Sequence, residues 1–253
     1  MTASRDAILA FVERELETHR YRDYGPIGLQ VAGAERISRI ACAVSSSVEV
    51  FERAAAEGAE LLLVHHGLFW DKDTRVIGPL MRRRLELLFG AEMTLAAYHL
   101  PLDGHQVIGN NALLADGLRL RDRRWFSDHD GIPLAVVGAL SAAVPLQLLA
   151  ERVAELCGRT PFAFSGGPEH VRTVAICSGR PGGLLAEAAA VGADCVLTGE
   201  PQEDFRALAQ ELGVSVLTAG HHATETFGVR ALAELVAAEF DLPWSFIDVP
   251  NPV

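Results

Sequence analysis

The chain has 253 residues, of which 49% are hydrophobic and 22% are charged, and its formal net charge is −11. This composition is typical of a globular protein with one large or two modest cores. The acidic balance argues against a nucleic-acid duplex as the main partner, because phosphate binding is driven by a basic surface. No segment reaches the roughly 18 apolar residues that a membrane-spanning helix needs.

The N-terminal segment and the cysteines indicate a cytoplasmic protein. Charges at Arg5, Asp6 and Glu13 interrupt the first apolar stretch, so it is interpreted as an amphipathic helix and not as a signal peptide. The four cysteines are far apart and form no C-x-x-C pair. Such cysteine usage fits a reducing compartment.

Apolar or β-branched runs alternate along the chain with stretches rich in Ala, Leu and Glu, a pattern typical of an α/β fold. Helices are predicted over residues 4–19, 47–57, 78–90, 106–117, 144–157, 182–191, 202–212 and 223–240. The predicted strands are RIACAV, ELLLVHH, MTLAAYH, PLAVVGAL, VRTVAICS, DCVLTGE, VSVLTAG and WSFIDV. Basic runs at 82–84 and 119–124 are interpreted as a solvated helix face or loop.

Two segments, residues 36–67 and 170–201, align without a gap. Each reads strand, turn, a helix ending in AAAxGA, an acidic residue and a buried strand. The strands that follow also match, because one leads to HLPLD and the other to GHHATE. The sequence therefore predicts two similar, internally duplicated three-layer α/β units. The first unit is predicted to comprise residues 1–127 and about 222–253, and the second, inserted unit residues 128–221.

Polar residues follow the predicted strands where ligands bind in α/β sheets, outside the carboxyl ends of the strands. We therefore expect a site in the crevice between the two units. Five of these residues have side chains that bind metal ions: His65, His66, Asp103, His221 and Glu225. The adjacent histidines can turn into one crevice because they end a strand, before Gly67.

The spacing of the remaining candidates predicts different local geometries. His221 and Glu225 are four residues apart at the start of a helix, so they are expected to share one face. Pro101 is expected to keep the stretch between His99 and Asp103 extended. His99 is interpreted as a residue beside the site that orients a ligand or donates a proton.

Three imidazoles and two carboxylates are too many ligands for one tetrahedral ion, but they suit two divalent ions. Nitrogen and oxygen ligation without thiolate favours zinc, manganese, iron, cobalt or nickel over calcium. Two such ions with two carboxylates keep a charge of about +2, which attracts a small anionic substrate. The alternative interpretation is that a histidine pair at a strand end is a hydrogen-bonded surface feature.

A series of motifs runs in order from about residue 25 to the C-terminus: GLQVAG, LLLVHHGLFW, HLPLD followed by GNNALL, CSGRPGG, ADCVLTGE, GHHATE and FIDVPNPV. Together they resemble the Nif-three-like family of dinuclear-metal-centre hexameric proteins, many of whose bacterial members carry the label GTP cyclohydrolase 1 type 2 homologue. The resemblance implies a two-unit α/β protomer and a toroidal homohexamer built as a trimer of dimers. It also implies a two-metal site whose ligands are the five residues named above.

The chain departs from the family pattern close to these motifs. Ser45, Ser46 and Ser47 stand where many members have an acidic residue, and Leu100 and Pro101 replace Thr and Asn. These departures are expected to alter hydrogen bonding around the ligands.

The leading functional hypothesis is a metal-dependent hydrolase that acts on an anionic, nucleotide-like substrate. By resemblance the reaction is attack at purine C8 of GTP, with ring opening and release of formate; a phosphoesterase is the other enzymatic possibility. The alternatives from other classes are a metal-binding scaffold or regulatory protein and a metallochaperone. The sequence leaves these alternatives open, because a fold and a site do not identify a substrate.

Overall fold

A computed structural model describes all 253 residues and confirms the predicted mixed α/β class. The strands are β1 (Ala3–Ser4), β2 (Gly28–Val31), β3 (Arg36–Ile37), β4 (Ile40–Ser45), β5 (Leu61–His66), β6 (Thr94–Ala97), β7 (Arg121–His129), β8 (Ile132–Pro145), β9 (Phe162–Phe164), β10 (His170–Cys177), β11 (Cys195–Thr198), β12 (Ser215–Thr218) and β13 (Trp244–Phe246). The helices are α1 (Arg5–Glu15), α2 (Val48–Ala56), α3 (Pro79–Gly90), α4 (Leu100–Gly104), α5 (Asn110–Gly117), α6 (Leu146–Cys157), α7 (Leu184–Ala190), α8 (Phe205–Leu212) and α9 (His221–Phe240), with a 3-10 turn at Thr18–Arg20. None of these helices has both the length and the apolar character that crossing a bilayer requires.

The chain divides into two compact units. Unit 1 comprises Met1–Leu102 and Gly228–Val249, and unit 2 comprises Asp103–Phe227 and Pro250–Val253. From the sequence, the first boundary between the units is expected after residue 127, whereas the structure places it between Leu102 and Asp103. The reason is that β7 pairs with β8 and so belongs to the sheet of unit 2.

Unit 1 is built on a five-stranded sheet with the order β13-β4-β5-β6-β2. The first four strands are parallel and β2 is antiparallel to β6. The apolar run of β5 is fully buried, as expected for a central parallel strand, and Phe51 of α2 packs in the core on one face. The register pairs Val64 with Ala97 and Ser45 with His66. The carboxyl ends of β4 and β5 are therefore level, and β6 ends beside Val64, near the end of β5.

Unit 2 is built on a six-stranded sheet with the order β7-β8-β10-β11-β12-β9. Its parallel centre is β10-β11-β12, and the outer strands pair antiparallel. Leu197 and Val196 belong to separate core clusters, so the sheet is covered on both faces. Cys177, Thr198 and Thr218 are in register, which makes the three carboxyl ends level here as well.

Each unit thus contains three consecutive parallel strands joined by helices, α2 and α3 in unit 1 and α7 and α8 in unit 2. The order of elements is that of the two aligned sequence segments. The internal duplication itself stays a prediction.

Two local predictions are wrong. Pro101 does not hold its segment extended but lies in α4, where the first turn of a helix tolerates proline because the missing N–H would have no partner there. Residues Arg121–Arg124 are neither a helix face nor a loop; they begin the edge strand β7, and charged side chains are a common feature of edge strands. By contrast, the run at 82–84 lies on a helix, α3, as predicted, and Arg82 forms an exposed ion pair there with Glu86.

Candidate metal centre

Three histidines lie together at the carboxyl ends of β5 and β6 in unit 1. His65 and His66 end β5, and His99 follows β6 after one intervening residue. Their ring centroids are 4.7 Å apart for His65 and His66, 4.9 Å for His65 and His99, and 5.5 Å for His66 and His99. One ring nitrogen of each lies within 4.8 Å of the others. This spacing allows the three imidazoles to face a common metal site.

The adjacent histidines are each held through Nδ1. His65 Nδ1 donates to the backbone carbonyl oxygen of Tyr98 at 3.1 Å, and His66 Nδ1 lies 2.9 Å from Ser45 Oγ. Metal-binding histidines generally engage their second nitrogen in this manner, because the hydrogen bond fixes the tautomer and the ring orientation. Both rings are therefore oriented to present Nε2 as the ligand atom.

Asp23 holds the third imidazole of unit 1. One carboxylate oxygen lies 2.8 Å from His99 Nδ1, and the other accepts from the backbone N–H of Leu100 at 2.8 Å. Burial raises the pKa of Asp23, but the hydrogen bond and charge of His99, with the amides of Leu100 and Tyr24, outweigh this effect and lower the pKa below its ordinary value. Asp23 is therefore an ionised partner that orients His99.

Sequence reasoning missed Asp23 because it lies 76 residues before His99 in a loop without periodicity. We expect Asp23→Asn to lower metal affinity or turnover by roughly 10- to 100-fold, the usual effect of losing a hydrogen-bonding group around a metal site. Competition with a chelator measures the affinity, and the exposed Asp6→Asn provides a matched control. An unchanged affinity and turnover would show that His99 does not contribute to the site.

In unit 2, Asp103 is buried and anchored by two donors. Asn110 Nδ2 and Ser178 Oγ donate to the same carboxylate oxygen, at 2.9 and 3.0 Å. A carboxylate oxygen of Asp103 also lies within 4.8 Å of one of Glu225. Two carboxylates at this separation, 9% and 2% exposed, repel each other unless a proton or a cation lies near them. The arrangement therefore favours a cation beside them, which a protonated side chain or a metal ion can supply.

His221 and Glu225 lie on one face of α9, as their spacing predicts. His221 Nε2 is 3.1 Å from Glu225 Oε2, and His221 Nδ1 is 2.6 Å from Glu200 Oε1. Burial lowers the pKa of His221, but the hydrogen bonds and charges of Glu225 and Glu200 outweigh it and raise the pKa to about 9. Glu200 follows β11 at the position that the aligned repeat assigns to His66. It therefore orients His221 as Asp23 orients His99.

In protein freed of metal by chelation, we expect the His221 ring to titrate near pH 9, well above the ordinary histidine value of about 6.5. Because the pKa is raised in the folded state, the imidazolium contributes stability that is fully present below about pH 6.5 and is lost as the pH rises through about 9. NMR titration of the ring measures this directly. Glu200→Gln should lower the midpoint, and a wild-type midpoint near 6.5 would contradict the arrangement.

Backbone segments pack directly against each other at the strand ends of unit 2. A Cβ atom on Gly199 would lie 2.5 Å from the Gly179 carbonyl oxygen and 2.7 Å from His221 Cα. The same carbonyl oxygen accepts from the amides of Gly199 and Glu200, at 3.0 and 2.9 Å. The segment that carries His221 is thus positioned by backbone contacts as well as by its side chain.

The donor types in each unit fit divalent ions of the kind predicted. Unit 1 carries three imidazoles close together, and unit 2 carries one imidazole and two carboxylates. All four imidazoles engage Nδ1 with an orienting partner. Nitrogen and carboxylate ligands without thiolate suit zinc, manganese, iron, cobalt or nickel.

Comparison with known proteins gives consistent matches along the whole chain. A family model described as Duf34/NIF3 (NGG1p interacting factor 3) matches residues 3–252. A Deinococcus radiodurans protein named GTP cyclohydrolase 1 type 2 homolog is 41% identical over 247 residues, which cover 98% of this chain and 94% of the relative. Among solved structures, TTHA1606 from Thermus thermophilus has a TM-score of 0.91 and 38% identity, covering 99% of this chain and 100% of the other. The protein ybgI, described as of unknown function, has a TM-score of 0.92 and 36% identity with the same coverage.

Proposed function

Because this chain belongs to the Duf34/NIF3 family, we propose that it is a metal-dependent hydrolase that acts on an anionic, nucleotide-like substrate. The observation that carries the proposal is that every candidate histidine has its Nδ1 hydrogen-bonded to an orienting group. A surface histidine has no need of such a partner, whereas a metal ligand does. The name of the Deinococcus relative supports a nucleotide as the substrate.

The proposed ligands of two divalent ions are His65, His66, Asp103, His221 and Glu225. The close carboxylates of Asp103 and Glu225 and the clustered imidazoles of unit 1 support this set. Divalent ions held by these residues would supply a water-derived nucleophile at neutral pH. The positive charge of the centre also attracts the anionic part of the substrate.

The remaining polar residues orient the proposed ligands or transfer protons. Asp23 keeps Nδ1 of His99 engaged, so His99 is proposed to donate a proton from Nε2 to the leaving group. Glu200 fixes the ring of His221, and Ser178 fixes the carboxylate of Asp103. These contacts pre-organise the site, which lowers the cost of reaching the reactive geometry.

A screen that resolves both metal and substrate tests the proposal. The purified protein is analysed for metal content and assayed with nucleoside triphosphates, phosphodiesters and phosphomonoesters. We expect turnover of one class that chelation removes and metal restores; release of formate would identify purine ring opening, and release of phosphate or alcohol a phosphoesterase. Firmly bound metal without turnover of any class would instead indicate a scaffold, and readily exchanged metal without turnover a metallochaperone.

We also propose a homohexamer, since the family resemblance implies one. The expected mass in solution is six times the 27.2 kDa of one chain. Sedimentation equilibrium or light scattering measures it. A monomer at every concentration would refute the hexamer without bearing on the metal ligands of one chain.

A further inference from the structure

We infer that unit 1 carries a binding pocket for a planar heteroaromatic ring beside His65 and His99, with Trp70 as its central wall. The inference rests on the phosphoesterase form of the proposed function for its role, because the ring is assigned to the non-reacting part of the nucleotide-like substrate.

The pocket is large enough for such a ring and is mainly apolar on its walls. Its volume is about 400 Å³, within the range of roughly 300–1,000 Å³ that is typical of small-molecule sites. The apolar walls are Pro26, Phe69, Trp70, Val76, Ile77 and Met81. Flat aromatic and aliphatic surfaces of this kind favour a flat ring over a sugar or a phosphate.

The pocket adjoins the histidine cluster. Pro26, Phe69 and Trp70 also line a smaller cavity whose other walls include His65 and His99. The Trp70 ring lies edge-on to His99, with centroids 5.3 Å apart and an interplanar angle of 86°. A molecule bound against Trp70 is therefore next to the proposed metal ligands.

The segment that carries Trp70 is held in place before any ligand binds. The Trp70 amide donates to an Asp73 carboxylate oxygen at 3.2 Å, and the Trp70 carbonyl oxygen accepts from the Asp73 amide at 2.9 Å. Gly25 packs so closely on the Phe69 carbonyl that a Cβ atom would overlap it. A wall that is already ordered loses little conformational entropy when a ring packs on it.

The charges of the pocket favour the ring over the phosphates. Asp71, Asp73 and Arg75 line it, so two carboxylates and one guanidinium leave one net negative charge. This balance gives no net attraction for a phosphate chain, whereas bound metal ions would attract one. The carboxylates can accept hydrogen bonds from the N–H groups of a heteroaromatic ring.

The three tryptophans of the chain, Trp70, Trp125 and Trp244, allow a direct test. In a W125F/W244F protein, purified with its metal, Trp70 is the sole indole. We expect guanosine and adenosine, which carry no phosphate, to change its fluorescence saturably, whereas ribose does not. The matched control is W70F, which keeps the other two tryptophans and should show no change with either nucleoside.

Equilibrium dialysis of the nucleosides against the wild-type protein and W70L covers the case in which the double variant does not fold. Loss of a stacking partner should weaken binding about tenfold. No saturable signal with either nucleoside, a signal that persists in W70F, or equal affinity in W70L would overturn the pocket. Nucleoside binding needs no turnover, so a failed hydrolase screen and a failed pocket are distinguishable.

Discussion

The Glu225→Gln variant is expected to fold like the wild-type protein but to lose its metal and its turnover. Glu225 is only 2% exposed, and its carboxylate lies 3.1 Å from His221 Nε2 and within 4.8 Å of an Asp103 oxygen. The amide has nearly the same size but no charge, so packing is kept while a ligand is removed. The loss of affinity should exceed the roughly 10- to 100-fold that follows removal of an orienting partner.

Glu234→Gln is the matched control, because Glu234 is an exposed residue on the same helix, α9. It should keep metal content, turnover and thermal midpoint unchanged. Metal is measured by elemental analysis and folding by circular dichroism. Turnover that persists in a metal-free Glu225→Gln protein would contradict both the ligand assignment and the proposed reaction.

Gly199→Ala is expected to lower the free energy of unfolding by about 1–3 kcal/mol, the usual range for overpacking a close-packed interior. The new methyl would meet the Gly179 carbonyl oxygen and His221 Cα, both within 2.7 Å. Neither neighbour is the end of a flexible side chain, so the backbone itself must move. Displacement of the His221 segment should weaken metal binding at the same time.

Gly183→Ala is the control for the glycine substitution, because no atom lies within 4 Å of a Cβ atom at Gly183 and its φ is −82°. Denaturant unfolding compares the two variants. Equal stability of the Gly199→Ala and wild-type proteins would mean that the strand ends of unit 2 are more pliable than their contacts indicate.

The central strands could be predicted because each parallel strand is a continuous apolar run bounded by turn residues. The runs LLLV of β5 and CVLT of β11 are fully buried, and their patterns predict this. The edge strands β2, β7 and β9 were not predicted. The strands β2 and β9 are short, and β7 begins with arginines. An edge strand faces solvent and needs few apolar residues, so it lacks a continuous apolar run.

The site was predictable in its ligand types but not in the partners that hold them. Local spacing reveals four of the proposed ligands: a strand ends in His65 and His66, and His221 lies one helical turn before Glu225. Asp23 meets His99 across 76 residues, and no local pattern reports such a contact. The motifs GNNALL and CSGRPGG did contain a signal, because the two donors that anchor Asp103 come from them.

The serine run that begins at the end of β4 illustrates the same limit. The resemblance implies an acidic residue in the stretch where this chain has Ser45, Ser46 and Ser47, and the sequence alone predicts only altered hydrogen bonding. In the structure the hydroxyl of Ser45 lies 2.9 Å from His66 Nδ1. A neutral group can therefore hold a ligand ring in place of a carboxylate, although it does less to raise the basicity of the imidazole.

The backbone contact at Gly199 limits which residues the chain can carry directly after β11. The aligned segments set Gly199 opposite His65 and Glu200 opposite His66. Position 199 has no room even for a methyl group, so substitution alone cannot give the second half a histidine pair of its own. A histidine at position 199 would require a different course of the neighbouring backbone, so main-chain sterics alone keep this strand end chemically different from that of β5.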